Sequence, residues 1–243
     1  MNKIYVIGIG PGEYEQMTLK AIHALESCDT IIGYTVYVDL VKDHFAGKEF
    51  LTTPMKKEVD RCILAFEEAR KGKTVSMICS GDAGVYGMAG LMYEVGVSYP
   101  EIELKIIPGV TAALGGASVL GAPLIHDFCL ISLSDLLTPW EKIEARLLGA
   151  SQADFAIVLY NPSSRKRHDY LQKACDLMMQ YKSPDTVCGL VSQIAREGEA
   201  YQVMTLKELR DTKVDMFTTV FIGNSQTKEL GGKMVTPRGY KGV

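Results

Sequence analysis

The 243-residue chain is poor in the features that mark exported, membrane-bound or metal-held proteins. Its six cysteines, Cys28, Cys62, Cys79, Cys129, Cys175 and Cys188, form no Cys-x-x-Cys pair and have no histidine at zinc-ligand spacing. Reduced core thiols in a cytoplasmic protein are the expectation, with no metal site of the chain's own. No apolar run approaches the ~20 residues that a membrane helix requires. A strand starts at Lys3, with no charged-then-apolar leader before it, so the protein is expected to be soluble and not exported. With 26 basic against 29 acidic residues, the net charge is -3, too little of either sign to point to nucleic acid or a membrane surface. A small soluble ligand is the better expectation. No internal repeat or low-complexity stretch breaks the chain.

What is present is an alternation of apolar runs and helical periodicity. Strands are read at residues 4–9, 30–33, 74–80 and 104–107, with helices over 18–27, 58–70 and 112–120. Thr18 before Leu19, Ile22 and Leu25 supplies an N-cap and an apolar stripe. Strand, helix, strand in succession means parallel pairing through crossovers. The pattern breaks near Gly121–Asp127 and resumes with strands at 128–132, 156–160, 186–191, 200–204 and 218–222 and a helix over 168–181. The expected organisation is two α/β domains, residues 1–122 and 128–243, joined by a linker at about 123–127. Glu197-Gly198-Glu199 reads as a tight turn, so the later strands are expected to pair antiparallel.

Three glycine-bearing turns close first-half strands: Gly8-Ile9-Gly10-Pro11-Gly12, Ser80-Gly81-Asp82-Ala83-Gly84-Val85-Tyr86-Gly87 and Pro108-Gly109-Val110-Thr111-Ala112-Ala113. Open α/β sheets bind ligands just beyond the carboxyl ends of their strands. The first turn fails the dinucleotide fingerprint, because Glu13 stands at the third glycine position, Pro11 lacks an amide donor, and no acid follows Ile31-Ile32-Gly33-Tyr34. The second lacks the lysine of a phosphate-binding loop. Bare backbone beside a single carboxylate suits a flat heterocycle carrying positive charge, and S-adenosylmethionine answers that description. Asp82 reads equally well as the cap of a helix beginning near Ala83.

In the second half, Tyr160-Asn161-Pro162 follows another buried strand. Next come Arg165, Lys166, Arg167 and His168, cations set against the dipole of the coming helix and suited to ligand carboxylates, although such a run is commonly just solvated. His126 and Asp127, with Ser132 and Asp135, concentrate proton-carrying groups beside the domain boundary. Tyr34 and Tyr37 are candidates for packing on a flat ligand or for ordinary interface packing.

Taken together, Gly8–Gly12, Gly81-Asp82, Pro108–Ala112, Tyr160–Pro162 and Thr218–Gly223, in this order, resemble the tetrapyrrole methylases of cobalamin and sirohaem biosynthesis over nearly the whole chain. Gly33–Tyr37, Ser80–Leu91, His126–Cys129 with Ile131–Trp140, Gly223–Thr227 and Thr236–Tyr240 resemble the branch that methylates C17 of the macrocycle and contracts the ring; Ala83, where many relatives have proline, suits that branch.

The resemblance implies two α/β domains with S-adenosylmethionine in the interdomain cleft, commonly a homodimer, and cobalt only as part of the substrate. It implies donor contacts at Pro11, Ser80, Gly81, Asp82, Val85, Tyr86, Thr111, Ala112, Tyr160, Asn161, Ala195 and Thr218. Substrate contacts are expected at Tyr34, Tyr37, Arg165, Lys166 and Arg167, and acid/base roles in ring contraction at His126, Asp127, Ser132 and Asp135. The cobalt-containing acceptor of an oxygen-independent route is favoured over the metal-free precursor. Another tetrapyrrole carbon, a protein side chain, and a non-catalytic binding domain are the alternatives.

Overall fold

The computed structural model describes residues 2–164 and 167–242, which pack as two compact units, Met1–Ala112 and Ala113–Val243.

The first unit runs β1 (Lys3–Gly8), α1 (Leu19–Ser27), β2 (Thr30–Tyr34), α2 (Thr35–Asp39), β3 (Glu49–Thr53), α3 (Glu58–Arg70), β4 (Val75–Cys79), α4 (Ala89–Gly96) and β5 (Glu103–Ile107). Its strands form one parallel sheet in the order β3-β2-β4-β1-β5. Strand periodicity sends alternate residues to opposite faces. Ile4 and Val6 accordingly join Phe66, Met77 and Met92 in one core, while Ile7 joins Leu25, Ile31, Ile78 and Ile107 in another. Thr18 caps α1 as its sequence predicts, accepting a hydrogen bond from Ala21 N.

Helix α4 begins at Ala89, not near Ala83. The Asp82 carboxylate closes a local turn onto Gly84 N, and Tyr86 takes a left-handed φ of 53°, so residues 80–88 stay irregular. That removes the reading of Asp82 as a helix cap.

The second unit holds most of α5 (Ala112–Leu120), then β6 (Gly121–Ala122), β7 (Phe128–Ser132), α6 (Trp140–Gln152), β8 (Ala156–Tyr160), α7 (Tyr170–Met178), β9 (Val187–Ser192), β10 (Ala200–Thr205), α8 (Leu206–Arg210), β11 (Thr218–Ile222), β12 (Lys228–Leu230) and β13 (Lys233–Val235). The units divide after the first residue of α5, while the sequence pattern breaks at residues 123–127. The reason is close packing: a Cβ on Gly116 would lie 2.8 Å from the Phe221 ring and 3.0 Å from Ile194.

The larger sheet has the order β10-β9-β11-β8-β7. β7 and β8 are parallel, and the β8-β11, β11-β9 and β9-β10 pairs are antiparallel, in line with the turn at Glu197–Glu199. The carboxyl ends of β7, β8 and β9 and the amino end of β11 therefore share one edge of the sheet. A small sheet, β12-β13-β6, ties the C-terminal hairpin to the segment after α5. Thr236 extends this tie, donating through Oγ1 to Pro123 O (2.7 Å) and through its backbone N–H to Ala122 O (3.0 Å). Among the described residues, no helix is long and apolar enough to cross a membrane.

Candidate functional site

The three turns of the first unit leave the carboxyl ends of adjacent strands β4, β1 and β5, and their backbones interlock. Gly10 N donates to Gly81 O (3.1 Å) and Gly81 N returns a bond to Gly10 O (2.7 Å). Asp82 then joins the outer pair: Oδ1 accepts from Gly84 N at 2.8 Å and Oδ2 from Gly109 N at 2.9 Å. A Cβ on Gly8 would sit 2.6 Å from Gly81 O and 2.7 Å from Gly109 N, so this glycine is demanded by turn-to-turn packing. At Gly81 the requirement is conformational, φ 68°, with the nearest atoms no closer than 3.6 Å to an added Cβ.

These turns carry Pro11, Ser80, Gly81, Asp82, Val85, Tyr86, Thr111 and Ala112 of the expected donor set. Residues 8–12, 80–87 and 108–113 contain one carboxylate and no lysine, arginine or histidine. A site with one negative charge, carbonyl acceptors and no cation fits a sulfonium and an ammonium and suits phosphate poorly. Each Asp82 oxygen retains acceptor capacity, because a carboxylate oxygen accepts about two bonds. The residues present thus fit S-adenosylmethionine.

At the carboxyl ends of β2 and β3, Tyr34 and Tyr37 meet edge to face with ring centroids 5.3 Å apart. The Arg61 guanidinium lies 5.9 Å from the Tyr34 centroid. Arg61 is buried, donating from Nε to Thr53 Oγ1 (2.8 Å) and from Nη2 to Pro54 O (3.2 Å). It escaped the sequence reading, although a basic residue beside the buried Cys62, Ala65 and Phe66 in the first turns of an amphipathic helix was a usable signal. Burial pushes the Cys62 thiol up to about 12 and Cys79 up to about 11, which makes neither a nucleophile near neutral pH.

In the second unit, Ser132 and Tyr160 stand side by side in the parallel register of β7 and β8. Ser132 Oγ accepts from Asn161 Nδ2 (2.9 Å) and Ser134 N (3.2 Å), holding Asn161 in a left-handed conformation, φ 52°. Tyr160 Oη accepts from Ala113 N at 2.8 Å, satisfying one of the free N–H groups at the start of α5. Ala195, after β9, is also left-handed (φ 52°), and its N–H donates to the Glu199 carboxylate at 2.7 Å. Thr218, at the start of β11, donates to Asp215 Oδ1. The four expected donor residues of this unit therefore gather at one sheet edge, together with Ser132.

Asp135 shares that edge and is fully engaged. Oδ2 accepts from Tyr170 Oη at 2.7 Å and Oδ1 from Arg167 Nη1 at 3.3 Å, while Nη1 also donates to Ser134 Oγ at 2.9 Å. The Tyr170 hydrogen bond, with a further contribution from Arg167, holds the Asp135 carboxyl below the usual range and raises the Tyr170 phenol. Arg167 Nε is buried with no hydrogen-bond partner among the described residues. Arg165 and Lys166 lie outside the described residues.

His126 and Asp127 sit beyond the opposite end of β7, a strand that is itself about 13 Å long at 3.3 Å per residue. His126 Nε2 is 3.0 Å from Pro237 O, and Asp127 O accepts from Ala156 N. The structure thus does not bring the four expected acid/base residues together; it pairs Ser132 with Asp135 and gives His126 to the C-terminal tail.

Residues 3–210 match the family model for tetrapyrrole (corrin/porphyrin) methylases, and the chain belongs to that family of methyltransferases. It is 48% identical to the "probable cobalt-factor III C(17)-methyltransferase" of Salmonella typhimurium, over 97% of this chain and 98% of that protein. Identity to the cobalt-factor III methyltransferase of Priestia megaterium is 46% over 99% of this chain, which spans 45% of that longer protein. The precorrin-3B C(17)-methyltransferase of a Sinorhizobium species is 38% identical over 99% of this chain and 98% of its own length. Among solved structures, the methyltransferase CobJ superposes with a TM-score of 0.90 at 34% identity, covering 98% of this chain and all of that one.

Proposed function

We propose that the chain transfers the methyl group of S-adenosylmethionine to C17 of cobalt-factor III and contracts the macrocycle in an oxygen-independent route. The observation that carries this is the 48% identity, end to end, with the Salmonella protein of that name. Metal-free precorrin-3B is the second acceptor considered; the relative so named is more distant, at 38%.

S-adenosylmethionine, when bound, supplies an electrophilic methyl whose C–S bond breaks toward sulfur as the new C–C bond forms. The chain's part in that step is positioning, which for a well-aligned displacement supplies most of the acceleration. Asp82 and the carbonyls of the interlocked turns accept hydrogen bonds from the donor and stabilise its positive charge. Tyr160 fixes the start of α5 through its bond from Ala113 N. Ser132 fixes Asn161, and Glu199 fixes Ala195.

Ring contraction moves protons at the macrocycle edge. Asp135, held ionised by Tyr170 and Arg167, is an acceptor and not a proton donor at neutral pH, while the Ser132 hydroxyl adjoins the donor loop. Tyr34, Tyr37, Arg165, Lys166 and Arg167 are assigned to the substrate, the cations to its carboxylates. The chain is expected to work in the cytoplasm as a homodimer.

The test is an anaerobic incubation with S-adenosylmethionine and cobalt-factor III, with metal-free precorrin-3B run in parallel. A product heavier by one methyl group, with a contracted-ring spectrum, is expected from the cobalt substrate. Turnover of precorrin-3B alone would move the chain to the second acceptor, and donor binding without turnover of either would refute the C17 assignment.

A further inference from the structure

The loop between β7 and α6 is fastened at three points yet presents leucines to solvent. Leu133 lies in the core, and its N–H donates to Tyr160 O at 2.9 Å. Asp135 is buckled to Arg167 and Tyr170, and Trp140, opening α6, packs on the Tyr170 ring at a centroid distance of 4.5 Å. Between Asp135 and Trp140 the chain exposes Leu136 by 69% and Leu137 by 98%. Scattered exposed leucines are ordinary on protein surfaces. Two in succession, on a loop pinned on both sides, directly beyond the strand end that carries Ser132, are a built feature.

We propose that Leu136 and Leu137 form the apolar platform on which one face of the tetrapyrrole macrocycle rests, with the Asp135–Arg167–Tyr170 buckle setting the height of that platform above the donor-binding edge. The inference rests on the proposed function and adds to it the residues that select a large flat acceptor. The position of the loop favours that occupant. The loop is continuous with the edge holding Ser132, Tyr160 and Asn161, so a ligand over the leucines lies beside the donor residues.

The test compares the parent protein with the double variant Leu136→Ser/Leu137→Ser and with the conservative Leu136→Met/Leu137→Met. Both positions are exposed, so both variants should fold with an unchanged melting temperature. The serine variant is expected to raise KM for cobalt-factor III about tenfold or more, as loss of roughly half a leucine side chain's burial at each position predicts. Binding of S-adenosylhomocysteine should stay within twofold of the parent, and the methionine variant should restore KM. An unchanged KM in the serine variant would overturn the platform while leaving the proposed function standing. A shift from dimer to monomer on sedimentation would assign the leucines to a second copy of the chain and also overturn it. Failure of the parent itself to bind cobalt-factor III would refute the proposed function and the platform together.

Discussion

Asp82→Asn separates the structural from the ligand-binding part of the turn cluster. The carboxylate makes two hydrogen bonds to backbone N–H groups, Gly84 at 2.8 Å and Gly109 at 2.9 Å, the second of which is partly buried and joins two turns. Hydrogen bonds to a charged group contribute about 1.5–3 kcal/mol each. Asparagine has one acceptor oxygen, which will turn toward the partly buried Gly109 N–H. Its NH2 group then faces the Gly84 N–H, which is exposed and takes water instead. One charge-assisted bond is lost and the other becomes neutral, so the substitution should destabilise the protein by roughly 1.5–3 kcal/mol. Asp82→Ala, losing both, should destabilise it further. Urea unfolding followed by circular dichroism measures the stability change, with the two units fitted as separate transitions if they do not melt together. Titration with S-adenosylhomocysteine measures the second effect, a fall in affinity larger for alanine than for asparagine. If Asp82→Ala left stability within 0.5 kcal/mol of the parent, a shift of ordinary surface-substitution size, the carboxylate would not be what ties the turns together.

Gly8→Ala should destabilise by about 1–3 kcal/mol or more, because the new Cβ meets Gly81 O at 2.6 Å and Gly109 N at 2.7 Å, backbone atoms that cannot turn aside; thermal unfolding checks it. Tyr160→Phe removes the acceptor of the Ala113 N–H and should lower stability by about 0.5–1.5 kcal/mol while weakening S-adenosylhomocysteine binding, measured by denaturation and calorimetry on the same samples. Lys182 is buried, its ammonium donating to Phe155 O and Gly223 O at 2.9 Å, and burial lowers its pKa, with Asp154 at 3.6 Å acting in the opposite direction. Between that lowered pKa and the ordinary 10.5, the unfolded chain binds more protons than the folded one, so this lysine makes stability rise with pH across the window. The unfolding free energy of the parent minus that of Lys182→Met should therefore increase with pH up to about 10.5; a difference independent of pH would refute the assignment.

The sequence exposed those parts of the fold that local physics decides. Thr18 caps α1 because a hydroxyl before an apolar stripe has no better partner than the helix's free N–H groups, and the runs of Ile, Val and Met became buried strands because no other placement removes them from water. The three glycine turns were legible as turns, but the reason for Gly8 was not. It is set by the approach of Gly81 and Gly109, residues about 70 and 100 positions away in the chain, a contact fixed only by strand order. Asp82 reads equally well in sequence as a helix cap, and the structure decides against that because Gly109 N, distant in sequence, draws the carboxylate into closing its own turn, with α4 starting only at Ala89.

The acid/base group shows the same limit at the site itself. His126, Asp127, Ser132 and Asp135 are neighbours in sequence, and sequence proximity suggested one cluster. The residues between them form a strand, however, and a strand carries its two ends apart at about 3.3 Å per residue. A helix through the same residues would have advanced less than half as far. Residues far apart in the chain, Asn161, Arg167 and Tyr170, instead come to Ser132 and Asp135, because β7 and β8 run parallel and the segments that follow them leave from the same edge. The residues that follow β7 and β8 are therefore the ones this sheet end gathers around Ser132 and Asp135. His126, with Nε2 3.0 Å from Pro237 O, is instead held by the segment that follows β13.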